Sequence, residues 1–192
     1  MFGVDKIKSI ISVIYSTAKF IVIKVFHNGF DFKGIQRFSP NTTIELGKKS
    51  QLVLGKKIRA HSGTKIRVRD NASVVIGKDV AFNYNCLLTA RMGIFIGDGC
   101  EIGPNVMFYD HDHDYRAEGG VKAGKYKTST VKIGKNVWIG ANAVILRGAD
   151  IGDGCVIGAG TIVRGGIYPA NSLIVSEQNI HVMDLASKTA FK

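Results

Sequence analysis

The stretch Ile133–Val163 reads IGKNVW IGANAV ILRGAD IGDGCV IGAGTI V. A branched apolar residue returns every six positions, at Ile133, Ile139, Ile145, Ile151, Ile157 and Val163, and glycine follows it at Gly134, Gly140, Gly152 and Gly158. A period of six fits neither an amphipathic helix nor a plain two-residue strand alternation. It fits a chain that turns a corner every six residues and sends one apolar side chain per side into a shared core. Three sides close a triangular coil of about eighteen residues, and stacked coils form an all-β parallel β-helix.

The same phase recurs upstream. Ile96, Ile102 and Phe108 are six apart, as are Ile76, Phe82 and Leu88. Further back, Leu46-Gly47 and Leu54-Gly55 mark looser repeats. The gaps from Leu54 to Ile76 and from Ile76 to Ile96 exceed eighteen, which predicts small insertions at those corners and less regular first coils. The β-helix domain is expected over 41–175. Residues 1–40 precede it as a helix and, from 28, a linker; Leu173–Val175 make a last strand, and 176–192 a terminal cap. After Phe108 the next clean hexad begins at Ile133. The intervening 114–130 (DYRAEGGVKAGKYKTST) is polar, basic and glycine-containing, so it must bulge from the scaffold as a loop. Long loops on rigid scaffolds are frequent carriers of function.

The 192 residues suffice for one domain with a small appendage. A net charge of +11 suits phosphates on a cofactor, anionic glycans or an anionic membrane surface. Neither a zinc-finger spacing nor an aromatic RNA-binding signature is present, which argues against nucleic acid. Three cysteines, Cys86, Cys100 and Cys155, without a C-x-x-C, argue against a disulfide framework or a zinc site. They read as small core or corner residues of a protein kept in a reducing compartment, the cytoplasm.

Residues 5–27 (DKIKSIISVIYSTAKFIVIKVFH) are the most apolar part, but the longest uncharged run, Ser9 to Ala18, is too short to span a membrane. No small-residue cleavage site marks a signal peptide. On a helical wheel Ile7, Ile11, Ile14, Ala18, Ile21 and Val25 share one face, flanked by Lys6, Lys8, Lys19 and Lys24. Such a helix either packs on the domain and caps its first coil, or anchors the protein peripherally at the inner membrane face.

Two of the five histidines fall in Asp110-His111-Asp112-His113-Asp114, where coil becomes loop. An imidazole oriented by a neighbouring carboxylate can act as general base toward a hydroxyl. Two imidazoles could instead ligate a metal, or the segment could be a solvated turn. On a strand His111 and His113 point to one side. The comparable corner one coil earlier offers Asn83 and Asn85, which favours a hydrogen-bonding pocket over a metal site.

The segments N-V-W-I-G-A-N-A-V-I and I-G-D-G-C-V-I-G-A-G-T-I-V resemble the hexapeptide-repeat acyltransferases, and among them the sugar O-acetyltransferases. The similarity covers about 76–175. It implies a left-handed β-helix, a homotrimer and acetyl-CoA as donor, with no metal. By the family's pattern the general base lies seven residues after the valine of an N-V pair; counting from Val106 selects His113, with His111 second. An asparagine one coil earlier helps bind the acceptor, Asn85 before Asn83. The protruding loop covers a neighbour's site. Coenzyme A lies along successive corners at Gly140, Ala141, Ala159 and Gly160, with Arg164 placed for its phosphates. Trp138 takes the family's aromatic position as a packing residue. One departure is that Ser176–His181 lacks the proline and basic residue with which the family commonly ends, at the adenine end of the donor site.

The expected activity is therefore acetyl transfer from acetyl-CoA to a saccharide hydroxyl in cell-surface polysaccharide synthesis. Direct attack needs no covalent intermediate, with backbone N–H groups or an asparagine stabilising the developing oxyanion. Two other classes stay open: a metal-dependent hydratase of the γ-carbonic-anhydrase type, and a β-helical scaffold without catalysis.

Overall fold

The computed structural model describes residues 2–177. After one helix, α1 (Phe2–Phe26), the chain winds into three parallel sheets that form the faces of a prism. Face A holds seven strands, from Phe30–Phe32 to Gly166–Tyr168; face B seven, from Arg37–Phe38 to Leu173–Ile174; face C six, from Thr43–Leu46 to Ile162–Val163. Every pair within a face is parallel and in register, giving a left-handed parallel β-helix of six full coils and a partial seventh. Inward positions stack in columns. Leu52, Val74, Ile94 and Val131 follow one another on face A, all fully buried, and Phe82, Ile102, Ile139 and Ile157 on face B.

The early coils are not irregular. Phe30, Leu52 and Val74 are register partners, as are Phe38, Ala60 and Phe82, and Ile44, Ile66 and Leu88, each step being 22 residues. The extra length lies mostly in the strands: Lys65–Val68 has four residues where Val144–Ile145 on the same face has two, and Gln51–Leu54 has four where Ala149–Ile151 has three. Adding two residues to a strand preserves the inward phase, because side chains alternate with a period of two. The first coil also begins earlier than the hexad count places it. Strands at Phe30–Phe32 and Arg37–Phe38 occupy the stretch read as a linker.

The three cysteines sit at corners, buried and unpaired. Each thiol faces a carbonyl of the next coil: Gly103, Gly134 and Pro169 for Cys86, Cys100 and Cys155. Burial pushes the Cys86 thiol up to about 11 and raises that of Cys100, so neither is a nucleophile at neutral pH.

Helix α1 lies across the open end of the first coil. There Arg37 and Ser39 donate their N–H groups to Ile58 and Ala60 of the second coil, while the N–H and C=O of Phe38 point to the vacant side. Ser16 lies against both: its Oγ accepts from Phe38 N at 2.8 Å and is 3.3 Å from Phe38 O, while its own proton goes to Ser12 O at 2.5 Å. Lys19 donates to Thr42 O. Phe20 plugs the core between Phe30, Phe32 and Phe38, with ring centroids 4.9–5.4 Å away. An open sheet edge needs polar partners. The helix therefore caps the coil with its serine face (Ser9, Ser12, Ser16) and Phe20, and not with the isoleucine face that the wheel singles out. Ile7, Ile11, Ile14, Ile21 and Val25 are all exposed.

Candidate functional site

The protruding segment is a two-stranded antiparallel arm. His111–His113 pairs with Tyr126–Thr128, and a single turn of 3-10 helix, Gly120–Ala123, forms its tip. The arm leaves the corner between faces C and A. Its root is Asp110, fully buried, whose carboxylate accepts the backbone N–H groups of Arg91, Met92 and Gly93 at 2.7–3.0 Å. The corner at Arg91-Met92 is two residues shorter than its neighbours, so these N–H groups converge without a backbone acceptor, and the Asp110 carboxylate fills that place.

Asp110 Oδ1 also lies 2.9 Å from His111 Nδ1. A carboxylate at Nδ1 fixes that nitrogen as the donor and leaves Nε2 as the acceptor. The imidazole is mostly shielded, its side chain 11% exposed. His113, two residues on, is exposed; its ring rests on Tyr126 at 4.6 Å, and the His111 ring meets the same tyrosine edge-on at 5.5 Å. The Arg91 guanidinium stacks on Tyr126 at 3.4 Å, and Arg147 pairs with Asp112. Both histidines thus face one aromatic platform, as i and i+2 on a strand should.

The remaining residues named from the sequence stand elsewhere on the prism. Asn83, Asn85, Gly140, Ala141, Ala159 and Gly160 line the corner between faces B and C, the edge opposite the arm across face C. Arg164 is exposed at the corner between faces C and A, the edge from which the arm leaves. A single chain therefore does not bring His111 or His113 to Asn85. Local structure accounts for several of these residues. Asn85, Asn105 and Asn142 occupy equivalent left-handed corner positions, with φ of 58°, 58° and 59°, and Asn105 donates to Asn142. Asn83 Oδ1 accepts from Tyr84 N. A Cβ on Gly140 would stand 2.5 Å from Ala159 N, so coil stacking requires this glycine. Trp138 does not pack in the core; it projects from face B, 58% exposed.

The sequence reading passed over Arg91 and Tyr126, which only the antiparallel arm brings together. It also passed over a basic cleft of about 490 Å³ between α1 and the corner of faces B and C, lined by Arg37, Arg59, His61, Tyr84 and serines. There His61 stacks on Tyr84 at 4.8 Å. Burial first, then the charges of Arg37 and Arg59, hold its imidazole below the usual value. Among the described residues no three metal-ligating side chains converge.

Residues 130–165 match the model of the bacterial transferase hexapeptide, six repeats. The chain carries the bacterial transferase hexapeptide repeat. Nodulation protein L of Rhizobium leguminosarum bv. viciae is 43% identical over 79 residues, and that of Rhizobium meliloti 38% over 79. Each alignment spans about two fifths of this chain and of the relative, 40% of the former protein and 41% of the latter. The N-acyltransferase AntD from Bacillus cereus, solved with dTDP-4-amino-4,6-dideoxyglucose and coenzyme A, superposes with a TM-score of 0.63 at 21% identity, covering 80% of this chain and 83% of AntD. A galactoside acetyltransferase in complex with coenzyme A does so with a TM-score of 0.50 at 24% identity, over 80% and 64%. These structures share the hexapeptide prism. In this chain Gln178–His181 of the departing C-terminal segment, and the rest of the expected cap, lie outside the described residues.

Proposed function

We propose that this protein transfers an acetyl group from acetyl-CoA to a hydroxyl of a saccharide, with His111 as general base. The observation that carries the reading is the Asp110–His111 pair at the root of the arm. A buried carboxylate holds Nδ1, and Nε2 is left to take a proton. His111 Nε2 accepts the hydroxyl proton as the sugar oxygen attacks the thioester carbonyl. The C–S bond breaks, and the imidazolium returns its proton to the departing thiolate. The raised thiols of Cys86 and Cys100, buried at corners, suit this direct route.

What supports a coenzyme A donor is the hexapeptide repeat over 130–165, the likeness to Nodulation protein L, and the coenzyme A bound in AntD and in the galactoside acetyltransferase. The edge at Gly140, Ala141, Ala159 and Gly160 carries nothing larger than a methyl group, so a thin pantetheine chain can lie against it. That edge and the histidine arm stand on opposite sides of face C. The arrangement favours a homotrimer, in which the arm edge of one copy faces the small-residue edge and Asn85 of the next. Role in polysaccharide synthesis follows the same reading.

The test is release of free thiol from acetyl-CoA over a panel of sugars and glycans. His111→Gln is expected to lower turnover by about 10²- to 10⁴-fold and His113→Gln by less than about tenfold. The reverse order would move the base to His113. Failure of the wild type to bind acetyl-CoA would remove the acetyltransferase reading. AntD acts as an N-acyltransferase, so the product bond decides the acceptor: an ester is cleaved by mild alkali and an amide is not.

A further inference from the structure

Helix α1 presents two faces with opposite characters. Successive residues advance by about 100° around the axis. Ser9, Ser12, Ser16, Phe20 and Ile23 fall on the side packed against the first coil. Ile7, Ile11, Ile14, Ile21 and Val25 fall on the diametrically opposite side, each more than half exposed, from 52% at Ile11 to 69% at Val25. Ile10 and Val22, also more than half exposed, flank the stripe on its two sides. Single exposed apolar residues are ordinary, but a continuous stripe along about five turns of helix marks an interaction surface.

We infer that this face lies on an anionic lipid surface. Three observations select that occupant. The helix lies across the end of the prism, so its outer face points along the coil axis. In the homotrimer proposed above, a copy would stand beside the prism and leave this end free. Lys19 and Lys24 on the helix are engaged by Thr42 O and Asp31, so the cations offered to phosphates stand on the first coil, where long side chains can reach past an apolar layer. The corners of the first coil add Lys33, Lys48 and Lys49, all exposed, while its described acids are already engaged, Asp31 with Lys24 and Glu45 with Arg67. The stretch Ser9–Phe26 is long and apolar enough to cross a membrane by length and composition, which its longest uncharged run alone did not indicate. Its serine face is nevertheless committed to the Phe38 backbone and the core plug, so the helix lies in the interface with the prism beneath it and does not span. The active arm then sits on the fourth coil from the membrane end, facing acceptors held near the surface.

The experiment is co-sedimentation of the full chain with vesicles of phosphatidylcholine alone, and with about a third phosphatidylglycerol. The wild type and the triple variant Ile11→Gln, Ile14→Gln, Ile21→Gln are compared, with light scattering for particle mass. All three positions are exposed, so the variant is expected to melt with the wild type. Binding to the anionic vesicles that weakens at least about tenfold in the variant, at unchanged mass, is the expected result. No sedimentation of the wild type, or equal sedimentation of the variant, would overturn it. So would a halving of particle mass in the variant, which would give the face to a second copy joined end to end. Acetyl transfer to a soluble acceptor is expected to be the same in both proteins, which separates this outcome from the fate of the catalytic reading.

Discussion

Asp110 holds His111 at 2.9 Å and, with the same carboxylate, gathers the N–H groups of Arg91, Met92 and Gly93. One buried group thus closes a shortened corner and orients an imidazole. The two duties separate in the variant Asp110→Asn. An amide presents one acceptor oxygen and a donor NH₂, so at least one of the N–H groups or His111 Nδ1 meets the wrong partner. The expected result is a stability loss of about 1–3 kcal/mol from the unpaired buried N–H. In addition, kcat should fall by at least about 10²-fold with little change in KM. Equal kcat in a folded Asp110→Asn protein would reduce the pair to architecture.

The prism was legible from residues because Ile133, Ile139, Ile145 and their successors carry a period that one geometry satisfies. The 22-residue coils were less so, since two added strand residues at Lys65–Val68 leave the inward phase intact and show no sign in a search for sixes. The helix was found by its wheel, but the packed face could not be. The wheel reports which side is apolar; the open edge at Phe38, which only the folded coil creates, decides which side is needed. The Asp110 contact that sets His111 apart from His113 was hidden for a similar reason. Counting from Val106 gives a position, whereas the Asp110 contact depends on a corner two residues short. Asn85 was named for ligand binding from its place in a pattern, and its backbone offers a structural reason for the same residue.

That reason makes Asn85 testable. Its φ of 58° lies in the left-handed region, where asparagine is tolerated and glycine is free of strain. Asn85→Gly is expected to melt close to the wild type, and Asn85→Ala to lose about 1–2 kcal/mol. If the side chain also binds the acceptor, both variants should raise KM for the sugar alike. A normal KM in Asn85→Gly would assign the residue to the corner alone.

The cap gives a second stability series. Phe20 is fully buried among three phenylalanines, so Phe20→Ala is expected to cost about 3–5 kcal/mol. Ser16→Ala removes one hydroxyl yet leaves Phe38 N without an acceptor, for about 1–3 kcal/mol. Ile14→Ala, on the outer face of the same helix, should stay within about 0.5 kcal/mol in lipid-free buffer. Chemical denaturation of the three variants checks the order, and a large loss at Ile14 would mean that the outer face is covered in the free protein.

His61 supplies the pH dependence. Burial against Tyr84, with Arg37 and Arg59 nearby, lowers its pKa below the ordinary 6.5 of an imidazole. Near and below that value the unfolded chain binds more protons than the folded one, so stability rises with pH through this window. Conversely, the contribution is complete above 6.5 and is lost as the pH falls through the folded pKa. Two of the three causes are cationic neighbours, which gives a control that a purely steric account lacks. In Arg37→Gln the His61 ring resonance, followed by NMR, should titrate at higher pH than in the wild type, and the acid side of the melting profile should flatten. His61→Gln should remove the same portion of the acid sensitivity outright. An unshifted titration in Arg37→Gln would leave burial and Arg59 as the causes.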